Sequence, residues 1–116
     1  MRRYASRVTA LALLVLAATP FGVVRGTVTM SPTTPVCREG VPCSGPAKLV
    51  ELRFVRYGAT VRTRTTAFGF YSVKLAPGPW RVRIPSARFG FRPRTPVLVR
   101  GRAITRHDLW IDTGIR

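Results

Sequence analysis

The chain has 116 residues, with twenty basic side chains against four acidic ones, a single histidine and two cysteines, for a formal charge of +16 at pH 7. That length holds one domain, and so few carboxylates and imidazoles leave little from which to build a paired-acid site, a tetrahedral metal site or a hydrolase triad. The charge draws polyanions such as nucleic acid, anionic lipid head groups and acidic cell-wall polymers, although an arginine excess dispersed along the chain, with Lys48 and Lys74 as its only lysines, is also what a compositional bias leaves.

Residues 1–25 read as a signal peptide, with cleavage between positions 17 and 26, and residues 26–116 as the domain. Arg2, Arg3 and Arg7 form a basic head, and Val8 to Ala18 is an uncharged apolar run, the composition of a secretory leader. The run is shorter than the about 20 apolar residues of a membrane span. Ala17 and Ala18 offer small residues for processing, and no cysteine closes the run to take a lipid. Without the three leader arginines, seventeen basic residues face four acidic ones, a charge of +13.

Seven short strands follow. Val24 to Met30 alternates and is β-branched. Ser31 to Pro46 is rich in proline and carries Cys37 and Cys43, which in an exported chain pair as a disulfide; metal binding by two thiolates would need two further ligands. Leu49 to Val55 places Val50, Leu52 and Phe54 on one face. After a Tyr57-Gly58-Ala59 turn, Thr60 to Thr66 alternates threonine with arginine and suits an edge, where Arg62 and Arg64 would deter pairing with another sheet. The run Thr65 to Ile84 reads most clearly, as two short strands with Tyr71, Val73 and Leu75, then Trp80, Val82 and Ile84, at period two around Pro77-Gly78. This spacing predicts an antiparallel hairpin. Pro85 to Pro96 is a second long loop. Val97 to Arg100 and Ala103 to Ile111 complete the set around Gly101-Arg102, with His107, Leu109 and Ile111 on one face and Asp108, Trp110 and Asp112 on the other. The whole predicts an all-β, seven-stranded antiparallel sandwich of Greek-key type.

The run Thr65-Thr66-x-x-Gly69-x-Tyr71, then Leu75-x-Pro77-Gly78-x-Trp80-x-Val82, resembles the carboxypeptidase regulatory-like, or transthyretin-like, β-sandwich domains, and in particular small secreted bacterial proteins built as one such domain. Thr66 stands where that family has an acidic turn residue, and Trp80 where it has tyrosine. A threonine hydroxyl can still bond the local amides, more weakly than a carboxylate. The resemblance implies an exported sandwich and no activity, because in carboxypeptidases this module is appended to a separate catalytic domain. It also implies that Gly69, Tyr71, Leu75, Pro77, Gly78 and Trp80 serve the fold.

Chemistry is sparse. His107 falls on an apolar face, the cysteines are consumed by each other, and Asp108 and Asp112 would stand roughly 13 Å apart on an extended strand, beyond the about 5 to 9.5 Å of glycosidase pairs. Those aspartates suit pairing with arginines such as Arg106 and ending the strand at Asp112-Thr113-Gly114. The candidate surface is Arg88, Phe89, Phe91, Arg92 and Arg94, with Arg81 and Arg83 from the neighbouring strand. Arginines there can grip phosphate or carboxylate and aromatic rings can stack on bases or sugars; alternatively both phenylalanines tuck into the open end of the sandwich. Phe70 and Trp110, if both meet solvent, would make an apolar patch. The expectation is a secreted, non-catalytic binding or structural module at the cell envelope, with no cofactor or metal and an anionic polymer, glycan or envelope protein as partner. Membrane contact would come only through a retained signal segment. A nucleic-acid binder is the alternative, and a transthyretin-like hydrolase of small ring compounds a remote one, since it needs histidines that this chain lacks.

Overall fold

The computed structural model describes residues 20–115, so residues 1–19 of the expected signal peptide lie outside the described residues. The elements are β1 (Gly22–Ser31), β2 (Gly45–Pro46), β3 (Glu51–Arg56), β4 (Ala59–Arg64), β5 (Phe70–Leu75), β6 (Gly78–Arg83), β7 (Phe91–Arg92), β8 (Val97–Val99), β9 (Ile104–Arg106) and β10 (Leu109–Asp112). One sheet is built around β1, and the other runs β4-β3-β6-β8. The result is an all-β sandwich, with ten short strands among the described residues where seven were expected. The last of the seven is broken in two, and β2 and β7 are two-residue additions paired to β1 and β10.

Alternation explains the core. On β5, Tyr71, Val73 and Leu75 are buried while Phe70, Ser72 and Lys74 are exposed. On β3, Leu52 and Phe54 point inward. Val24, Val28, Leu109 and Ile111 from the first sheet meet Trp80, Val97 and Val99 from the second, and the Phe54 and Tyr71 rings lie 6.0 Å apart across the sandwich. Burying a side chain of this size stabilises by about 1.5–3 kcal/mol.

Two expectations about connectivity are corrected. First, β5 and β6 do not form a hairpin: β5 pairs with β1, whereas β6 pairs with β3 and β8. Ala76-Pro77 carries the chain from one sheet to the other. The two apolar faces that suggested one half-buried hairpin instead face each other, because a period-two pattern says which side of a strand is buried and nothing about which strand lies beside it. The arch is held by side chains. Trp80 Nε1 donates to the Ala76 carbonyl at 2.8 Å, and Arg56 donates to the Pro77 carbonyl while its guanidinium sits 4.7 Å from the Trp80 ring. Gly78, at φ +129°, leaves room for that guanidinium, which a Cβ would strike.

Second, the sandwich is not purely antiparallel. β9 and β10 both run parallel to β1. Their registers share one offset, Arg25 opposite Arg106 and Val28 opposite Leu109, with a break at His107-Asp108. At the break a side chain replaces the backbone ladder: Asp108 Oδ1 accepts from the Thr27 amide at 2.9 Å and from the Thr27 hydroxyl at 3.2 Å. The Tyr71 hydroxyl donates to the His107 carbonyl, and the His107 amide donates to the Arg25 carbonyl at 3.0 Å.

Other local readings match the structure. Tyr57-Gly58 closes a two-residue hairpin between β3 and β4 with φ +46° and +80°, the backbone of a type I′ turn. The expected edge strand, β4, is the edge of its sheet. Thr66 Oγ1 accepts from the amides of Phe68 and Phe70, each at 3.2 Å, as a weaker stand-in for a carboxylate. Cys37 and Cys43 form a disulfide with Cα atoms 5.4 Å apart in an exposed loop, a bond compatible with an extracellular location.

Candidate functional site

The outer face of the second sheet follows from its register. Arg53 lies opposite Arg62 on β4 and opposite Arg83 on β6, so three guanidinium-bearing positions stand side by side across three strands. In the rows on either side of it, Arg81 is opposite Val55 and Glu51 is opposite Arg64. Like charges directly opposite one another are destabilising. Their countercharge here is Glu51, whose carboxylate takes the Arg53 Nε at 2.9 Å.

The loop 85–94 closes over one end of this face. Arg53, Arg81, Arg83 and Arg94 line a groove of about 530 Å³ with Gly90 and Phe91 as part of its wall and no acidic residue in its lining. Arg94 is oriented by Phe91, its guanidinium 5.4 Å from the ring centroid.

On the other side of the loop is a second cleft, of about 450 Å³. It shares Gly90, Phe91 and Arg94 with the arginine groove and adds Phe89, Arg92, Trp110 and Asp112. Trp110 is directly opposite Arg92 through the β7 to β10 pairing. The two phenylalanines divide between the readings that the sequence left open. Phe91 is half-buried against the core, whereas Phe89 is 60% exposed.

The structure thus brings together Arg81, Arg83, Phe91 and Arg94 on one side and Phe89, Phe91, Arg92 and Arg94 on the other. Arg88 is exposed and lines neither depression. Arg53 and Arg62 were legible only as alternating or edge residues, and their alignment with Arg83 requires the register. Phe70 and Trp110 are both exposed and flank β1, Phe70 beside Thr27 and Trp110 beside Thr29 on its other side. Phe70 borders a third depression, of about 580 Å³, with Arg25, Arg64 and Arg106.

The titratable groups carry the fold. Partial burial raises the Asp108 carboxyl, but the Thr27 amide, the Arg106 guanidinium and the Thr27 hydroxyl outweigh it and hold Asp108 below the ordinary carboxylate range. The Arg106 Nε contact is 3.1 Å, the pairing expected for Asp108. Burial pushes the His107 imidazole below its usual range, against the opposing charge of Asp108. Burial first, and Asp108 second, raise the Tyr71 hydroxyl well above its usual range. Asp112 Oδ1 accepts from the Gly114 amide at 2.9 Å and closes the strand end where expected. Among the described residues no group of three or more histidine, cysteine or acidic side chains could hold a metal ion, and no helix is long and apolar enough to cross a membrane.

No protein-family model matches the sequence, and no curated protein matches it. Among solved structures, the chain is similar to a DUF3823 family protein from Parabacteroides merdae, at 15% identity and a TM-score of 0.49. The match covers 80% of this chain and 46% of that one, so the chain spans about half the length of this neighbour.

Proposed function

We propose that the chain is an exported, non-catalytic binding module of the carboxypeptidase regulatory-like type, which attaches to anionic polymers of the cell envelope through the outer face of its second sheet. The observation that carries this reading is the in-register row Arg62, Arg53 and Arg83, continued by Arg81 and Arg94 into a groove lined without acids. A row of like charges costs stability unless a ligand of opposite charge repays it. Guanidinium forks suit carboxylate, sulfate and phosphate groups alike. The Cys37–Cys43 bridge supports the exported setting.

The test is the salt dependence of binding. With a single-stranded oligonucleotide as a generic polyanion, replacing Arg53, Arg62 and Arg83 together by glutamine should lower the slope of log affinity against log salt by about 2. All three lie on the outer face, so the fold should survive. An unchanged slope would refute the reading.

A further inference from the structure

The two depressions that flank loop 85–94 differ in chemistry, and the difference names a ligand class. The arginine groove gathers four guanidinium groups and no carboxylate. The neighbouring cleft offers flat apolar surface with mixed polar groups: Phe89 and Trp110 beside Arg92 and Asp112. Phe89 and Trp110 are 60% and 43% exposed, although each would gain by burial.

Phe89 is also fixed in place. Its ring rests on the backbone of Gly114, at φ +77°, so closely that a Cβ there would overlap it, and Gly114 is itself held by Asp112. The backbone of Trp110 is set by β10, opposite Arg92. The cleft therefore has an aromatic floor with a donor and an acceptor at its rim, and its volume falls in the range of small-ligand sites, about 300 to 1,000 Å³. A pyranose ring presents apolar C–H faces and a girdle of hydroxyls that both donate and accept. Arg92 can donate to that girdle, and the Asp112 carboxylate, with several acceptor positions beyond the one that holds Gly114, can accept from it.

Resting on the polyanion reading above, we propose that the loop straddles an anionic glycan, with a sugar ring on the Phe89 and Trp110 side and the acidic substituent of the same or next sugar on the Arg53, Arg81, Arg83 and Arg94 side. Phe91 and Arg94, shared by both depressions, set the spacing between ring and charge.

Titrations of the protein with an oligomer of a uronic acid, with polyglutamate of equal charge and with a single-stranded oligonucleotide of equal charge test this. The chain has two tryptophans, Trp80 buried at 4% exposure and Trp110 exposed, so a ligand-induced blue shift reports Trp110. The expected result is affinity for the oligouronate about tenfold above polyglutamate, with the shift, and about a tenfold loss in Phe89→Ala or Trp110→Ala confined to the oligouronate. Unchanged Trp80 emission in Trp110→Ala certifies its fold. Equal affinity for oligouronate and polyglutamate, with Trp110→Ala silent, overturns the glycan assignment and leaves the polyanion reading standing. Preference for the oligonucleotide overturns it in favour of nucleic acid. Absence of salt-sensitive binding to all three overturns both.

Discussion

Replacing Asp108 by alanine removes the carboxylate that substitutes for the backbone ladder between β1 and the β9 to β10 break. The Thr27 amide then faces the gap without its partner at 2.9 Å, and the Thr27 hydroxyl loses one at 3.2 Å. A partly buried amide left unbonded costs about 1–3 kcal/mol. The Arg106 contact adds little, because that guanidinium side chain is 72% exposed and exposed ion pairs contribute about 0–1 kcal/mol. The expected total for Asp108→Ala is about 2 kcal/mol, and Asp108→Asn, which keeps an oxygen toward Thr27, should cost less. The wild type must also show the acid side of this interaction. A carboxyl held below its unfolded pKa contributes stability that is complete above the unfolded value and disappears as the pH falls through the folded one. Chemical denaturation followed by Trp80 fluorescence at pH 7 and at pH 3 measures both, and the gap between wild type and Asp108→Ala should narrow at the lower pH. An Asp108→Ala protein within about 0.5 kcal/mol of wild type at pH 7, the range of ordinary surface changes, would refute the claim that this side chain holds the strands together.

Three further outcomes are expected. Thr66→Asp places a charged acceptor opposite the Phe68 and Phe70 amides and should raise the denaturation midpoint by the equivalent of about 0.5–1 kcal/mol. A protein beginning at Gly26 lacks Val24, which is fully buried, and the pairings of Gly22 to Arg25 with β5 and of Val23 to Arg25 with β9. It should fail to give a cooperative transition by circular dichroism, and N-terminal sequencing of the exported protein should find processing upstream of Gly22. Cys37→Ser with Cys43→Ser should cost about 2 kcal/mol on the loop-entropy model, and leave the amide exchange of the sheets unchanged, because the bridge closes only an exposed loop.

Much of the molecule was legible in its sequence at the level of single strands. Leu52, Phe54, Tyr71, Val73 and Leu75 point where their alternation says, and Thr66 caps its turn as its hydroxyl allows. Pairing was harder. Pro77-Gly78 looks like a hairpin turn, and what makes it an arch is that Trp80 and Arg56 bind the carbonyls of Ala76 and Pro77, the second a long-range contact that no local pattern displays. The last strand reads as continuous because the Asp108 side chain replaces a backbone group without disturbing the register. The candidate surface was half visible: Arg88 to Arg94 stood out as an arginine and aromatic run, but Arg53 and Arg62 join it only through strand order, and Asp112 only through the packing of the chain's end.

The position of β1 at the centre of its sheet dictates when the molecule can form. Val28 to Ser31 pair with Leu109 to Asp112, and Val23 to Arg25 with Ile104 to Arg106, so the first strand can meet β2 and β5 early but acquires its parallel neighbours only from the last stretch of the described residues. Contacts of such sequence separation make folding slow, because loop closure must precede any gain from pairing. A nascent chain stays unable to complete its sandwich until β10 has emerged.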